Sequence, residues 1–338
     1  MAQNALEEVA RALVAPGKGI LAADESSGTI EKRLKSIDTP STEENRRDYR
    51  EMLFRTEGAE EFISGVILYD ETIRQDAADG TPLREILKGK GILPGIKVDT
   101  GAKQLAGSPK EKVTEGLDGL RERLSEYRGL GAAFAKWRAV ITIGEGIPSD
   151  YCIDTNAHAL ARYAALCVEA GIVPIVEPEV LMDGPHTLER CYEATERTLE
   201  AVFGELHAQR VPLEQILLKP NMVLSGNECS SQADVTRVAE ATLHCFRRTV
   251  PAAVPGIVFL SGGQSDEIAT AHLSKMNELG GGPWELSFSY GRALQAPALK
   301  AWGGKKANVA AGQKAYYHRA KCNGAARYGK YTDAMEAA

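Results

Sequence analysis

Apolar runs of strand length recur along the chain at intervals of roughly 30 to 45 residues, and most stretches between them carry the spacing of amphipathic helices. Eight such runs stand out: KGILAADE from Lys18, SGVILYD from Ser64, LPGIKVD from Leu93, GAAFAKWRAVI from Gly131, IVPIVEPEV from Ile172, QILLKPNMV from Gln215, GIVFLSGG from Gly256 and ELSFSYG from Glu285. Strand and helix in alternation predict a parallel sheet, and eight strands close a barrel. The fold expected is α/β, a (β/α)8 TIM barrel, in a single catalytic domain over residues 1–338. An extra helix over Lys305 to Ala326 follows the eighth run, and the residues from about 327 read as a mobile tail.

Local signals place two of the outer helices. From Thr155 to Ala170, the residues Ala157, Leu160, Ala164, Cys167 and Val168 share one face, and Gly171 stops the pattern. Ser231, with Asp234 three positions on, predicts a capping box ahead of a helix that runs to about Arg248. No linker rich in Pro, Gly or Ser divides the chain, which favours one domain over two.

Charge sits where the strands end. In ILLKPNMV, Lys219 closes an apolar run, and Pro220 disfavours the helical conformation for it, so this lysine belongs at a strand-to-loop junction. Burying an ammonium group is costly unless it is paired, and burial favours the neutral amine. The other runs end in or lead to Asp24, Asp70, Lys97 with Asp99, Lys136 with Arg138, Glu177 with Glu179, and Arg292. Side chains two apart on a strand share a face, so these groups converge at the C-terminal mouth of a barrel, where active sites of this fold lie. The alternative for any one of them is an ordinary ion pair on the rim. In FLSGGQSDE, Gly262 and Gly263 admit a ligand close to the backbone, and a helix starting near Ser265 adds a positive dipole end. With Arg292 after the next strand, this suits a phosphate. Lys97 and Arg33 either serve a second phosphate or lie on the surface.

Composition narrows the classes. The chain is 43% hydrophobic and 25% charged, as in ordinary globular proteins, and its net charge of -6 supplies no basic field for nucleic acid. No run reaches the length of a membrane span, and the N-terminus is too acidic for a signal peptide, so a cytoplasmic protein is expected. Six cysteines form no CxxC pair and read as reduced thiols. The six histidines are scattered, mostly away from strand ends, so neither a catalytic metal nor another cofactor is expected.

The segments GILAADESSGTIEKRL, GVILYDETI, GIKVDTG, AKWRAV, PIVEPEVL, ILLKPNMV, FLSGGQS and FSYGRALQ, in this order, resemble the class I fructose-1,6-bisphosphate aldolase family from near residue 6 to about 332. The resemblance implies reversible cleavage of fructose 1,6-bisphosphate into dihydroxyacetone phosphate and glyceraldehyde 3-phosphate, in glycolysis and gluconeogenesis. It matches Lys219 to the Schiff-base lysine, Glu177 to the acid and base of carbinolamine chemistry, and Asp24 to the base for the C4 hydroxyl. Glu179 and Lys136 then tune the local charge. Ser261, Gly262 and Arg292, with Ser289 nearby, match the C1-phosphate site. Arg33, Ser26 and Lys97 match groups around the C6 phosphate, and Arg138 lines the site. A transaldolase or deoxyribose-phosphate aldolase would also use a barrel lysine but would not explain two phosphate sites. The resemblance further implies a homotetramer, and a scaffold role for filament proteins or a membrane pump is a separate hypothesis that no sequence feature marks. Two departures stand out: Thr100 replaces a frequent lysine, and the sequence closes on Ala338, where the family places a tyrosine assigned to C3 proton exchange.

Overall fold

The computed structural model describes residues 2–337. Its sheet is a closed barrel of eight strands, which with one hairpin inserted in the chain are β1 (Gly19–Ala23), β2 (Ile63–Leu68), β3 (Leu93–Lys97), β4 (Gly101–Leu105), β5 (Ser108–Glu115), β6 (Phe134–Ile141), β7 (Val173–Val180), β8 (Leu217–Leu218), β9 (Gly256–Phe259) and β10 (Glu285–Tyr290). Every barrel pairing is parallel, and β1 closes the ring by pairing with both β2 and β10. Seven of the eight barrel strands fall within the eight apolar runs, and β2 starts one residue before its run, at Ile63. The antiparallel β4–β5 hairpin leaves after β3 and was not foreseen, because its residues KQLAGSPKEKVTE are polar and carry no buried run.

Strand alternation divides the apolar residues into two layers. Ile20, Ala22, Ile67, Phe134, Val173, Ile175, Leu217 and Val258 form one buried cluster, into which the N-terminal helix Ala2–Leu13 sends Leu6, Ala10 and Leu13. This cluster fills the barrel and stops its N-terminal end. Residues of opposite phase, including Leu21, Val66, Ile96, Trp137, Val176 and Leu218, pack beneath the outer helices in the larger cluster. Glycine makes the inner layer possible: a Cβ on Gly95 would stand 2.3 Å from the Phe134 ring, and one on Gly65 would stand 2.9 Å from it. The ring occupies the volume that two side chains would otherwise fill.

The helices follow from their caps. The helix Asp150–Glu169 begins five residues before the sequence pattern suggests, because the Ser149 side chain accepts from the Cys152 N–H. Asp234 itself caps Val235–Thr249 by accepting from Arg237 N at 2.8 Å, so Ser231 lies outside the helix and the capping box expected there does not form. The extra C-terminal helix spans Val309–Ala326 after a short 3-10 turn. Beyond it, in the stretch read from sequence as a tail, Tyr331 is buried and its hydroxyl donates to Glu336 at 2.8 Å, within a 3-10 turn over Asp333–Ala337.

Replacing Gly95 with alanine is expected to displace Phe134 and cost about 1–3 kcal/mol, as overpacking of a dense core does. Urea unfolding of Gly95→Ala checks this. An unchanged midpoint at unchanged slope would show that the ring moves freely.

Candidate active site

The inward phase that carries apolar residues through the barrel carries charge at its mouth. Ala22 leads to Asp24, Phe134 to Lys136 and Arg138, Ile175 to Glu177 and Glu179, and Leu217 to Lys219, each two residues further along. These groups line one cavity of about 670 Å³, together with Ser26, Arg33, Lys97, Ser261, Gly262, Ser289 and Arg292. Thirteen of the fourteen expected residues are thus brought together. Gly263 stands apart, its N–H donating to the Met182 sulfur at 3.0 Å.

Lys219 is 4% exposed at the point where the β8 ladder stops. Its own N–H still donates to Val176 O at 2.8 Å, but Pro220 has no N–H, and the Asn221 side chain instead accepts from Val180 N at 3.0 Å. The chain leaves the barrel with its backbone satisfied and the lysine pointing in. Lys219 Nζ lies 3.2 Å from Glu177 Oε1, and Lys136 Nζ lies 3.4 Å from Glu177 Oε2 and 2.8 Å from Asp24 Oδ2. Two buried lysine side chains and two carboxylates therefore alternate in a chain of contacts.

Burial alone would push the Asp24 carboxyl upward, but Lys136, Lys219 and Lys97 together outweigh it and hold its pKa down at about 2. For Lys136, desolvation works against the charge and Asp24, Glu177 and Asp99 overcome it, so its pKa is raised. The neighbouring charges are also paired: Arg138 with Glu179, Arg33 with Glu25, and Lys97 with Asp99 at 2.6 Å. Asp99 further accepts from Arg138 N and Gly101 N, both at 3.2 Å. It was legible as a strand-end acid. Glu25 was not, being hidden beside Asp24; besides Arg33 it accepts from Gln295, whose own oxygen takes the Tyr49 hydroxyl proton bond.

The far wall is different. Gly262 adopts a left-handed φ of 55°, where glycine is favoured, and turns the chain after β9. Arg292 donates to the carbonyls of Gly262 and Gln264 and, among the described residues, forms no ion pair. Its guanidinium faces the cavity with no carboxylate in ion-pair contact among the described residues. Ser289 Oγ is buried there without a partner. Behind the turn, Gln264 donates to Ser261 O at 3.0 Å and accepts from His272, a buried imidazole whose pKa desolvation lowers to about 4 and which is therefore neutral near pH 7. The lining contains neither histidine nor cysteine, so no donor set suited to zinc converges on it.

A buried lysine beside a carboxylate, facing an unpaired arginine and a glycine turn at the mouth of a parallel barrel, is the layout of an enzyme that attacks phosphorylated carbonyl compounds with an amine. Residues 5–338 match the family model for class-I fructose-bisphosphate aldolase of glycolysis. The chain is 59% identical to a probable fructose-bisphosphate aldolase class 1 of Xanthomonas axonopodis pv. citri, over 98% of this chain and 99% of that protein. It is 54% identical to the fructose-bisphosphate aldolase of Dictyostelium discoideum, over 96% and 91% respectively. The solved fructose-bisphosphate aldolase of Plasmodium falciparum, in a ternary complex with TRAP and a small-molecule inhibitor, superposes with a TM-score of 0.97 at 50% identity, covering 98% of this chain and 96% of that one. The chain belongs to the class-I fructose-bisphosphate aldolase family, metal-independent lyases that cleave fructose 1,6-bisphosphate reversibly through a lysine Schiff base.

Because its folded pKa lies below the ordinary 3.8, ionised Asp24 contributes stability that is present above pH 3.8 and lost as pH falls toward about 2. In Lys136→Met the largest cationic influence is gone while burial remains, opposed only by Lys219 and Lys97, so the Asp24 pKa is expected to rise well above about 2. Carbon-detected NMR of the carboxyl group reads this directly; a value still near 2 would assign the depression to other groups.

Proposed function

We propose that Lys219 is the Schiff-base residue and that Glu177, Asp24 and Lys136 divide the proton transfers among them. The observation that carries this reading is the contact chain Lys219–Glu177–Lys136–Asp24, with spacings of 3.2, 3.4 and 2.8 Å. The neutral Lys219 amine attacks the C2 ketone of fructose 1,6-bisphosphate, and Glu177 gives a proton to the departing C2 hydroxyl, which leaves as water. The iminium so formed draws the electrons of the C3–C4 bond as Asp24 takes the proton from the C4 hydroxyl. Glyceraldehyde 3-phosphate departs, the enamine is protonated at C3, and hydrolysis frees dihydroxyacetone phosphate and Lys219. Lys136 keeps Asp24 ionised and ready to accept, while Glu179 fixes Arg138 on the cavity wall.

Arg292, Ser261, Gly262 and Ser289 suit the C1 phosphate: an unpaired guanidinium, a free buried hydroxyl and a turn of exposed backbone are offered together. Lys97 at the end of β3, with Ser26 and Arg33 at the start and on the body of the helix Ser27–Lys35 after β1, lines the same cavity, and the three suit the C6 phosphate. We place the reaction in the cytoplasm, in keeping with two Arabidopsis thaliana relatives described as cytosolic and with the lack, among the described residues, of a helix long and apolar enough to cross a membrane. A single barrel domain assembled as a homotetramer completes the reading; light scattering of the purified chain tests the assembly.

Incubation with dihydroxyacetone phosphate in excess EDTA, followed by borohydride, is expected to leave one stable adduct, on Lys219. Lys219→Ala is expected to lose the adduct and about 10⁵-fold or more in kcat/KM. An adduct on another lysine would displace Lys219 from this role. Arg292→Ala is expected to raise KM about 10–100-fold, the worth of lost charge-assisted hydrogen bonds. Unaltered KM in steady-state assays would move the C1 phosphate elsewhere.

A further inference from the structure

Away from the catalytic cavity, His318 and Cys322 lie four residues apart on the C-terminal helix, and Glu336 comes back to meet them from the terminal 3-10 turn. One ligand atom from each lies within 4.8 Å of the others, with His318 Nε2 3.7 Å from Cys322 Sγ and 3.3 Å from Glu336 Oε2. An ion with bonds of about 2.0–2.3 Å in tetrahedral geometry separates its nitrogen, sulfur and oxygen donors by about 3.3–3.5 Å. The two edges that meet at His318 already stand close to these lengths, and the third lies within 4.8 Å.

We propose that His318, Cys322 and Glu336 bind a borderline divalent transition-metal ion, with zinc as its type, and that the ion ties the terminal turn to the C-terminal helix. The donor set is one imidazole, one thiolate and one carboxylate, which suits such an ion better than calcium or magnesium. Glu336 is oriented for the task. Its Oε1 accepts from the Tyr331 hydroxyl at 2.8 Å and pairs with Arg319, leaving Oε2 turned toward His318. On binding, the Cys322 thiol gives its proton to solvent and the sulfur lone pair forms the metal bond. Thiolate and carboxylate then balance the ion's two charges, and water completes the fourth position. None of the three residues lines the catalytic cavity, so the site is structural and separate from aldol cleavage.

Titration of the untagged, EDTA-stripped and dialysed full chain with Co²⁺ tests the proposal. One equivalent is expected to raise a near-ultraviolet thiolate-to-cobalt charge-transfer band with the visible bands of tetrahedral cobalt, and Zn²⁺ is expected to displace both. Cys322→Ser is expected to abolish the charge-transfer band while keeping the native circular dichroism spectrum and aldol cleavage. His318→Gln is expected to weaken the affinity at least about tenfold. The proposal is overturned if stoichiometric Co²⁺ raises no such band. It is equally overturned if the band survives in Cys322→Ser, which would trace the sulfur to another thiol such as Cys229.

Discussion

The ammonium group of Lys136 holds the barrel mouth together. It is buried, and three carboxylates stand within 4.0 Å of it: Asp24, Glu177 and Asp99. Without this cation, Asp24 would lose its ion-pair partner, and Glu177 and Asp99 would each keep a single one, Lys219 and Lys97 respectively. With it, Asp24 keeps its charge and Glu177 is left spanning two lysines. Breaking a buried pair from one side costs far more than the pair contributes, so the groups depend on one another as a set. Asp99 extends that dependence to Lys97 on the neighbouring strand, which connects the centre of the cavity to its rim.

That cluster exists because the barrel interior changes character along a single phase. The same alternation that buries Ile175 and Leu217 in the filled lower barrel delivers Glu177 and Lys219 two residues later. Phe134 makes the lower layer dense, and Gly65 and Gly95 give it room. A densely packed floor holds the strands in register, and fixed register in turn keeps the charged residues facing each other. Packing and chemistry are adjoining parts of one strand pattern.

Most of this was legible in the sequence, for identifiable reasons. Long apolar runs mark fully buried parallel strands, and charge at the ends of nearly all of them reports the mouth of the barrel. The β4–β5 hairpin was hidden because both its strands are largely exposed and polar, so no hydrophobic period announces them. The partition of partners was hidden too. That Arg33 pairs with Glu25 eight residues before it and Lys97 with Asp99 two residues on, while Arg292 pairs with no acid among the described residues, depends on how the chain turns at each strand end, which spacing alone does not report. Ser231 shows the limit of a short motif: Asp234, three positions on, is itself a good cap, and only tertiary placement chooses between them. The catalytic roles came from the likeness of whole segments to a family, since a strand-end lysine alone is compatible with a rim ion pair.

The hairpin after β3 also bears on how such a chain tolerates change. It inserts the stretch Gly101–Glu115 between two neighbouring strands, yet Lys97 still pairs across from Lys136 in the barrel. Connections can therefore lengthen without disturbing the site, because a loop has no phase to lose. A strand has. One residue added inside β7 would turn Glu177 and Glu179 outward beneath the helices and bring apolar neighbours into the cavity. For this architecture, inheritance constrains the parity of a few short strands far more tightly than the length of everything that joins them.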